Sequence, residues 1–327
     1  MNNFKILLLT LVVVGCQNPQ TKKTMTTKKI VIAHRGASGY LPEHTLEAKA
    51  MAYAMHPDYL EQDIVLSKDD VPIVVHDITL DDVTDVAQVF PSRKRADGKY
   101  YVIDFTYKEL LQLNVSERFD TKTGKAVFKN RFPLWKSHFK LHSLQDEIEM
   151  IQGLNKSTGE NIGIYPEIKE PAFHLENGKD ISVIVLKVLS NYGYTKKDNC
   201  ILQCFDATEL KRIRQELKSN LFLVQLTEFA EDNSKLPEFA TYADGVGPYF
   251  KQLIKKFDPK TGKIAFNDYV KNAHELGMVV HAYTFRADQL EDLPSFDYLL
   301  DLAFNKANLD GVFTDFSDKA FLFINKN

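Results

Sequence analysis

Eight short β-rich runs separated by helical stretches constrain this chain more than any other feature of its 327 residues. The runs are Ile30 to His34, Glu61 to Leu66, Ile162 to Lys169, Ile201 to Phe205, Leu221 to Leu226, Asp244 to Tyr249, Met278 to Phe285 and Gly311 to Phe316. Between them lie "EHTLEAKAMAYAM", "SLQDEIEMIQGL", "DISVIVLKVLSNYG", "DATELKRIRQELKS", "FNDYVKNAHELG" and "QLEDLPSFDYLL". Several open on a capping residue such as Asp206, and several close on a glycine such as Gly193 or Gly277. Strands that are apolar on both faces and joined through helices demand a parallel sheet, because only covering helices bury both sides. Eight such units are the number that closes a (β/α)₈ barrel. The structural rival is an open, doubly wound α/β sheet, and no sequence repeat underlies the alternation.

One interval breaks the rhythm. Between "PIVVHD" (72–77) and "HSLQDEIEMI" (142–151) lie some sixty residues carrying "PSRKRADGKYY", "DTKTGKAVF" and "NRFPLW". Two Gly-Lys turns flanked by aromatic residues suggest hairpins, and a connection of this length is more often functional than disordered. The expected architecture is therefore a barrel over residues 29–327, with an insertion at about 78–141 after its second strand, set over the mouth.

In such a barrel the active site lies at the C-terminal ends of the strands. The polar residues found there are not a random set. The first strand ends in His34 and Arg35; the second carries Glu61 and Asp63, and its extension ends in His76 and Asp77; the third carries Glu167 and Lys169. Glu61 and Asp63, two apart on a strand, leave the same face, and Glu167 and Lys169 repeat that spacing on the neighbouring strand. Three carboxylates converging in one mouth repel unless a cation neutralises them, and hard oxygen ligands point to Ca²⁺ or Mg²⁺ rather than zinc. Arg35 and Lys169 add two positive groups suited to an anion such as a phosphate ester. His34 and His76, with ordinary pKa values near 6.5, suit general acid and general base roles at neutral pH. Any such anion must be held locally, since 41 Lys and Arg against 44 Asp and Glu give a net charge of −3 and no general attraction to nucleic acid or anionic lipid.

The N-terminus reads as a leader. Lys5 precedes an apolar run from Ile6 to Val14, too short to span a bilayer, which needs about 20 apolar residues. Val-Val-Gly-Cys at its end resembles the lipobox of bacterial lipoproteins, in which the cysteine, here Cys16, is lipidated after cleavage. Residues 17–28 are polar and low in complexity, as a tether should be. The expectation is an exported protein, anchored by lipid to a bacterial membrane and facing the periplasm or cell exterior. Cys200 and Cys204, four apart on a strand and so roughly 13 Å from each other, cannot form a disulfide and read as buried apolar residues.

Taken together, "HRGASGYLPEHT", "EQDIVLSKDDVPIVVHD" and "PEIK" resemble the bacterial glycerophosphodiester phosphodiesterases, in particular their periplasmic branch. The signature His-Arg, Glu-x-Asp, His-Asp appears as His34-Arg35, Glu61-Gln62-Asp63 and His76-Asp77, and the likeness runs from about Lys29 to Phe321. It implies a TIM barrel that cleaves small glycerophosphodiesters such as glycerophosphocholine and glycerophosphoethanolamine to glycerol 3-phosphate and an alcohol. It puts one divalent metal, commonly calcium, on Glu61, Asp63 and Glu167, makes His34 and His76 the acid/base pair, and sets Arg35 and Lys169 on the phosphate. Glu43 matches the family's Pro-Glu acid near the metal and the glycerol hydroxyls, and Tyr283 stands where an aromatic residue often meets the glycerol; a core tyrosine is the alternative. His44 reads as a helix-start residue. Many members carry Leu-x-Arg-Thr after the His-Asp, whereas "LDDVTD" puts Asp82 in the arginine's place, as a brace for the loop rather than a catalyst. Two rival functions keep the same residues: a barrel phospholipase acting on intact lipid, which needs a wide apolar mouth, and a non-catalytic lipoprotein that captures glycerophosphodiesters.

Overall fold

The computed structural model describes residues 28–197, 199–258 and 263–326. The leader, Cys16 and the tether up to residue 27 lie outside the described residues. Each β-rich run forms a strand: β1 (Ile30–Ala33), β2 (Tyr59–Leu66), β3 (Gly163–Ile168), β4 (Ile201–Cys204), β5 (Phe222–Thr227), β6 (Gly245–Pro248), β7 (Val279–Phe285) and β8 (Gly311–Thr314). They pair in parallel in chain order, and β8 returns to β1. The ring is closed by β1 against β2, with Ile32 opposite Tyr59 and Ala33 opposite Leu60. That last pairing makes the sheet the expected (β/α)₈ barrel and excludes the open doubly wound sheet.

The helices that join successive barrel strands include α1 (Leu46–Tyr53), α2 (Leu144–Thr158), α3 (Ile181–Asn191), α4 (Ala207–Gln215), α5 (Leu236–Phe239), α6 (Tyr269–Glu275) and α7 (Phe296–Asp301), and α8 (Ser317–Lys326) follows the last strand. Local chemistry sets their starts. Ser143 and Asp146 form a reciprocal capping box on α2, and the Asp206 carboxylate accepts the Glu209 N–H at 3.0 Å on α4. The "QLEDLPSFDYLL" stretch is helical only from Phe296, because Pro294 cannot continue a helix backward and Ser295 caps the new start. α5 and α8 are absent from the sequence reading; α5 is a single turn carrying Pro237, which has almost no periodic signal.

The main core lies between sheet and helices, while Ile32, Tyr165, Ile201, Val224 and Phe313 fill the barrel itself. Gly311 makes room for this filling, since a Cβ there would stand 2.6 Å from Ile30 and 2.9 Å from His281. Cys200 and Cys204 are buried free thiols, as expected.

The insertion carries a core of its own, in which Leu80, Val86, Tyr100, Val102, Phe105, Leu110, Leu113 and Phe139 pack on Val65 and Ile73. Of the two hairpins expected, one forms, pairing Phe119–Asp120 with Lys125–Ala126. At "RADGK" the chain makes only a turn closed by Arg95 and Lys99, because Arg93 and Arg95 are drawn onto Glu109 and Asp104 instead of pairing across strands. The "PIVVHD" run is likewise no continuation of β2. Pro72–Val74 folds back antiparallel on it, Val74 opposite Ile64, and so returns His76 to the level of Asp63.

Candidate active site

Strand periodicity carries the inward rows from an apolar floor to a polar mouth. On β1 the row runs Ile32, His34; on β2 Tyr59, Glu61, Asp63; on β3 Tyr165, Glu167, Lys169; on β4 Ile201, Gln203, Phe205; on β8 Phe313, Asp315. At the top these rows enclose a cavity of about 240 Å³ lined by His34, Arg35, Glu61, Asp63, His76, Glu167, Lys169 and Tyr283. Of the nine folded residues expected at the site, only Glu43 does not line it; Glu43 lines a second cavity, also about 240 Å³, which shares His34, Arg35 and His76 with the first.

Arg35 adopts a left-handed conformation (φ +57°), and Gly36 follows at +85° with Ala48 so near that a Cβ would meet its carbonyl carbon at 2.9 Å. This turn aims the Arg35 N–H at Glu61 Oε2 (2.6 Å) and its Nη1 at both oxygens of Glu43 (3.0 Å each). A non-glycine residue held there costs energy, and such strain collects at functional turns. His44 follows in the same loop. It does not start the helix: Thr45 is the N-cap of α1, and the buried His44 ring meets Asp63 Oδ2 at 2.8 Å through Nε2.

The carboxylates are unequal. Burial, then Asp63, drives Glu61 well above the usual carboxylate range. Burial pushes Glu167 up to about 8 against the pull of Lys169, whose Nζ lies 2.8 Å away. Burial opposes ionisation of Asp63 too, but Lys169, His76 and His44 outweigh it and hold that group well below the range. One acid stays charged and its two neighbours resist charge, a repulsion that a cation would relieve. Ligand atoms of His44, Glu61 and Asp63 lie within 4.8 Å of one another. A mostly oxygen donor set of this kind fits a hard divalent ion.

Both histidines are held by carboxylates. Asp315 Oδ1 binds His34 Nδ1 at 2.6 Å, and Asp77 Oδ1 binds His76 Nδ1 at 2.7 Å. Each bond places the Nδ1 proton against the acid and leaves Nε2 as the chemically free nitrogen. Burial, then Arg35, pulls the His34 imidazole down to about 4 and lowers His76 as well. Asp315 is braced by Arg131 and Arg286, both at 2.7 Å. The sequence reading missed Asp315, Arg131, Arg286, Gln203 and Arg118. Asp315 was accessible to it, as the polar residue that ends "GVFTDF". The buried Gln203, whose Oε1 has no hydrogen-bond partner, follows from the alternation of β4. Arg118 and Arg131 come from the insertion, where no periodicity locates them.

A barrel mouth in which two carboxylate-held imidazoles, an arginine and a lysine surround an acidic cluster is that of a phosphoryl-transfer hydrolase. The glycerophosphoryl diester phosphodiesterase family matches residues 34–319, and the chain belongs to that family. It is similar to the glycerophosphodiester phosphodiesterase of Haemophilus influenzae, 48% identical over 96% of this chain and 95% of that one. Among solved structures, the putative glycerophosphoryl diester phosphodiesterase of Silicibacter pomeroyi superposes with a TM-score of 0.69 at 22% identity, covering 92% of this chain and 94% of that one. The Oleispira antarctica phosphodiesterase, solved with the product sn-glycerol-3-phosphate, does so with a TM-score of 0.61 at 20% identity, over 90% and 96%.

Proposed function

We propose that this enzyme hydrolyses small glycerophosphodiesters to sn-glycerol 3-phosphate and the free alcohol, and that it does so with a divalent cation, calcium in the first place. The observation that carries the reading is the pair of carboxylate-held imidazoles, His34 on Asp315 and His76 on Asp77, in one mouth that also holds Glu61, Asp63 and Glu167. The three acids would hold the cation, with His44 orienting Asp63; bound there, it would draw charge from the phosphoryl oxygens. Arg35 and Lys169 receive those oxygens. Arg35 Nε, among the described residues, has no hydrogen-bond acceptor and stands 3.5 Å from Asp63 Oδ2, which sets the guanidinium beside the acidic cluster. One imidazole takes the proton of the attacking oxygen, either of water or of the glycerol 2-hydroxyl whose cyclic ester water then opens, and the other delivers a proton to the leaving alcohol.

Tyr283 turns its hydroxyl to the Thr227 carbonyl at 3.0 Å and leaves ring surface on the cavity, beside Phe205, where the glycerol carbons would pack. Glu43 acts on the substrate through Arg35 in this reading, since both of its oxygens are taken by Arg35 and Arg118. A phospholipase would need a wide apolar mouth; a charged cavity of about 240 Å³ supports the smaller diesters instead. No described helix is long and apolar enough to cross a membrane, so attachment rests on the lipidated Cys16 that the leader sequence suggests.

The test is the identity of the bond broken. Phosphorus NMR of the reaction with glycerophosphocholine should reveal glycerol 3-phosphate alongside choline. Phosphocholine alongside glycerol would overturn the reading.

A further inference from the structure

Arg118, in the insertion, makes contacts that the chemistry above does not use. Its Nη2 donates to Glu43 Oε1 at 2.6 Å and its Nη1 stands 2.8 Å from Asp77 Oδ2, with Asp82 Oδ2 at 3.7 Å from the same nitrogen. One guanidinium, with its side chain only 16% exposed, thus serves three carboxylates. Two of them are the partners of the reacting groups: Glu43 holds Arg35, and Asp77 holds His76. Planar, five-donor geometry is what allows such a bridge, and lysine lacks it.

We infer that Arg118 is a positioning residue for the diesterase reaction, through which the insertion sets both the phosphate-binding arginine and the His76 imidazole. The inference rests on the reading given under Proposed function. With Arg118 present, Glu43 is satisfied from two sides and Arg35 keeps donors for the substrate. Without it, the whole charge of Glu43 falls on Arg35 and draws it away from Asp63 and the cavity, and Asp77 loses the partner that fixes its second oxygen. Asp82 belongs to the same device. The chain from Asn114 to Phe119 runs beside Asp82 to Asp85, with Ser116 N–H on Val83 O at 2.9 Å and Phe119 N–H on Asp82 O at 3.0 Å, which brings the Arg118 side chain to within 3.7 Å of Asp82 Oδ2. The Arg118 guanidinium therefore lies beside position 82, and an arginine placed at 82 should be able to reach the same carboxylates.

Steady-state kinetics on glycerophosphocholine with calcium, run on wild type, Arg118→Ala, Arg118→Lys and the double variant Arg118→Ala/Asp82→Arg, test this, with melting curves to establish folding. Arg118→Ala should lose about 10²-fold in kcat/KM, the scale of a small misplacement of reacting groups, with KM raised through Arg35 and kcat lowered through His76. Arg118→Lys, which keeps the charge and folds even where alanine does not, should fall between alanine and wild type. The double variant should recover most of the loss. Unchanged kcat and KM in a folded Arg118→Ala or Arg118→Lys protein overturn the inference while leaving the diesterase reading intact, as does a double variant no better than Arg118→Ala. A wild-type protein inert on every glycerophosphodiester instead removes the reading itself, and this inference with it.

Discussion

Glu61 and Asp63 are each 1% exposed, and Glu167 is 6% exposed, so burial and, behind it, the poorly screened charge of Asp63 make ionisation of Glu61 costly, and the protein without metal carries that cost as a loss of stability. Calcium at a hundredfold excess over its Kd should stabilise the wild type by about 2.7 kcal/mol, read as a rise in melting temperature. Glu61→Gln, Asp63→Ala and Glu167→Gln should each abolish that rise along with turnover, and Glu61→Gln should melt above the wild type when both are free of metal. Calcium shifts that survive in all three variants would contradict the ligand assignment. The imidazoles behave differently, because removing an acid or base leaves the metal site standing. His34→Ala and His76→Ala should each lose about 10²- to 10⁴-fold in rate while binding calcium normally. The variant lacking the acid should recover selectively on a nitrophenyl phosphodiester of glycerol, whose leaving group needs no proton. Equal recovery by both would show that the two roles are not divided in this way.

Among the elements, the strands were legible because burial on both faces writes apolar runs, and their polar ends stand out against those runs. His34, Glu61, Asp63, Glu167 and Lys169 could be placed by counting twos along a strand. Arg118 and Arg131 could not be, because the insertion brings them to the mouth by tertiary packing alone. His76 was found for a reason that proved incomplete, since it reaches Asp63 through an antiparallel return rather than a longer β2. The short helix Pro171–Glu176, just after β3, carries a further consequence. Its His174 is 1% exposed, neither ring nitrogen has a hydrogen-bond partner among the described residues, and burial, then Lys179, pulls the imidazole down to about 4. The folded state keeps this ring neutral while the unfolded chain protonates it near pH 6.5, so its contribution is present above 6.5 and lost as pH falls toward 4. Between pH 7 and pH 5 the loss amounts to about 2 kcal/mol. Urea titrations should therefore find His174→Leu less sensitive to pH over that window than wild type; identical slopes would mean that His174 is charged or solvated in the fold.

At the scale of the whole molecule, the barrel sets its chemistry at one mouth, and the proposed leader speaks only through its sequence. If Cys16 carries the proposed lipid anchor, Cys16→Ser should move the protein from the membrane to the soluble fraction with its specific activity unchanged, because residues 17–28 would act as a tether between anchor and barrel. Retention in the membrane after a high-salt wash would exclude the lipid anchor. The acidic cluster at the mouth of the barrel supports the proposal that diester hydrolysis here depends on a divalent ion among Glu61, Asp63 and Glu167. Release of glycerol 3-phosphate from glycerophosphocholine, followed first in EDTA and then with calcium restored, tests it most directly. No product should form in EDTA and activity should return on adding calcium; turnover undiminished by EDTA would contradict metal dependence.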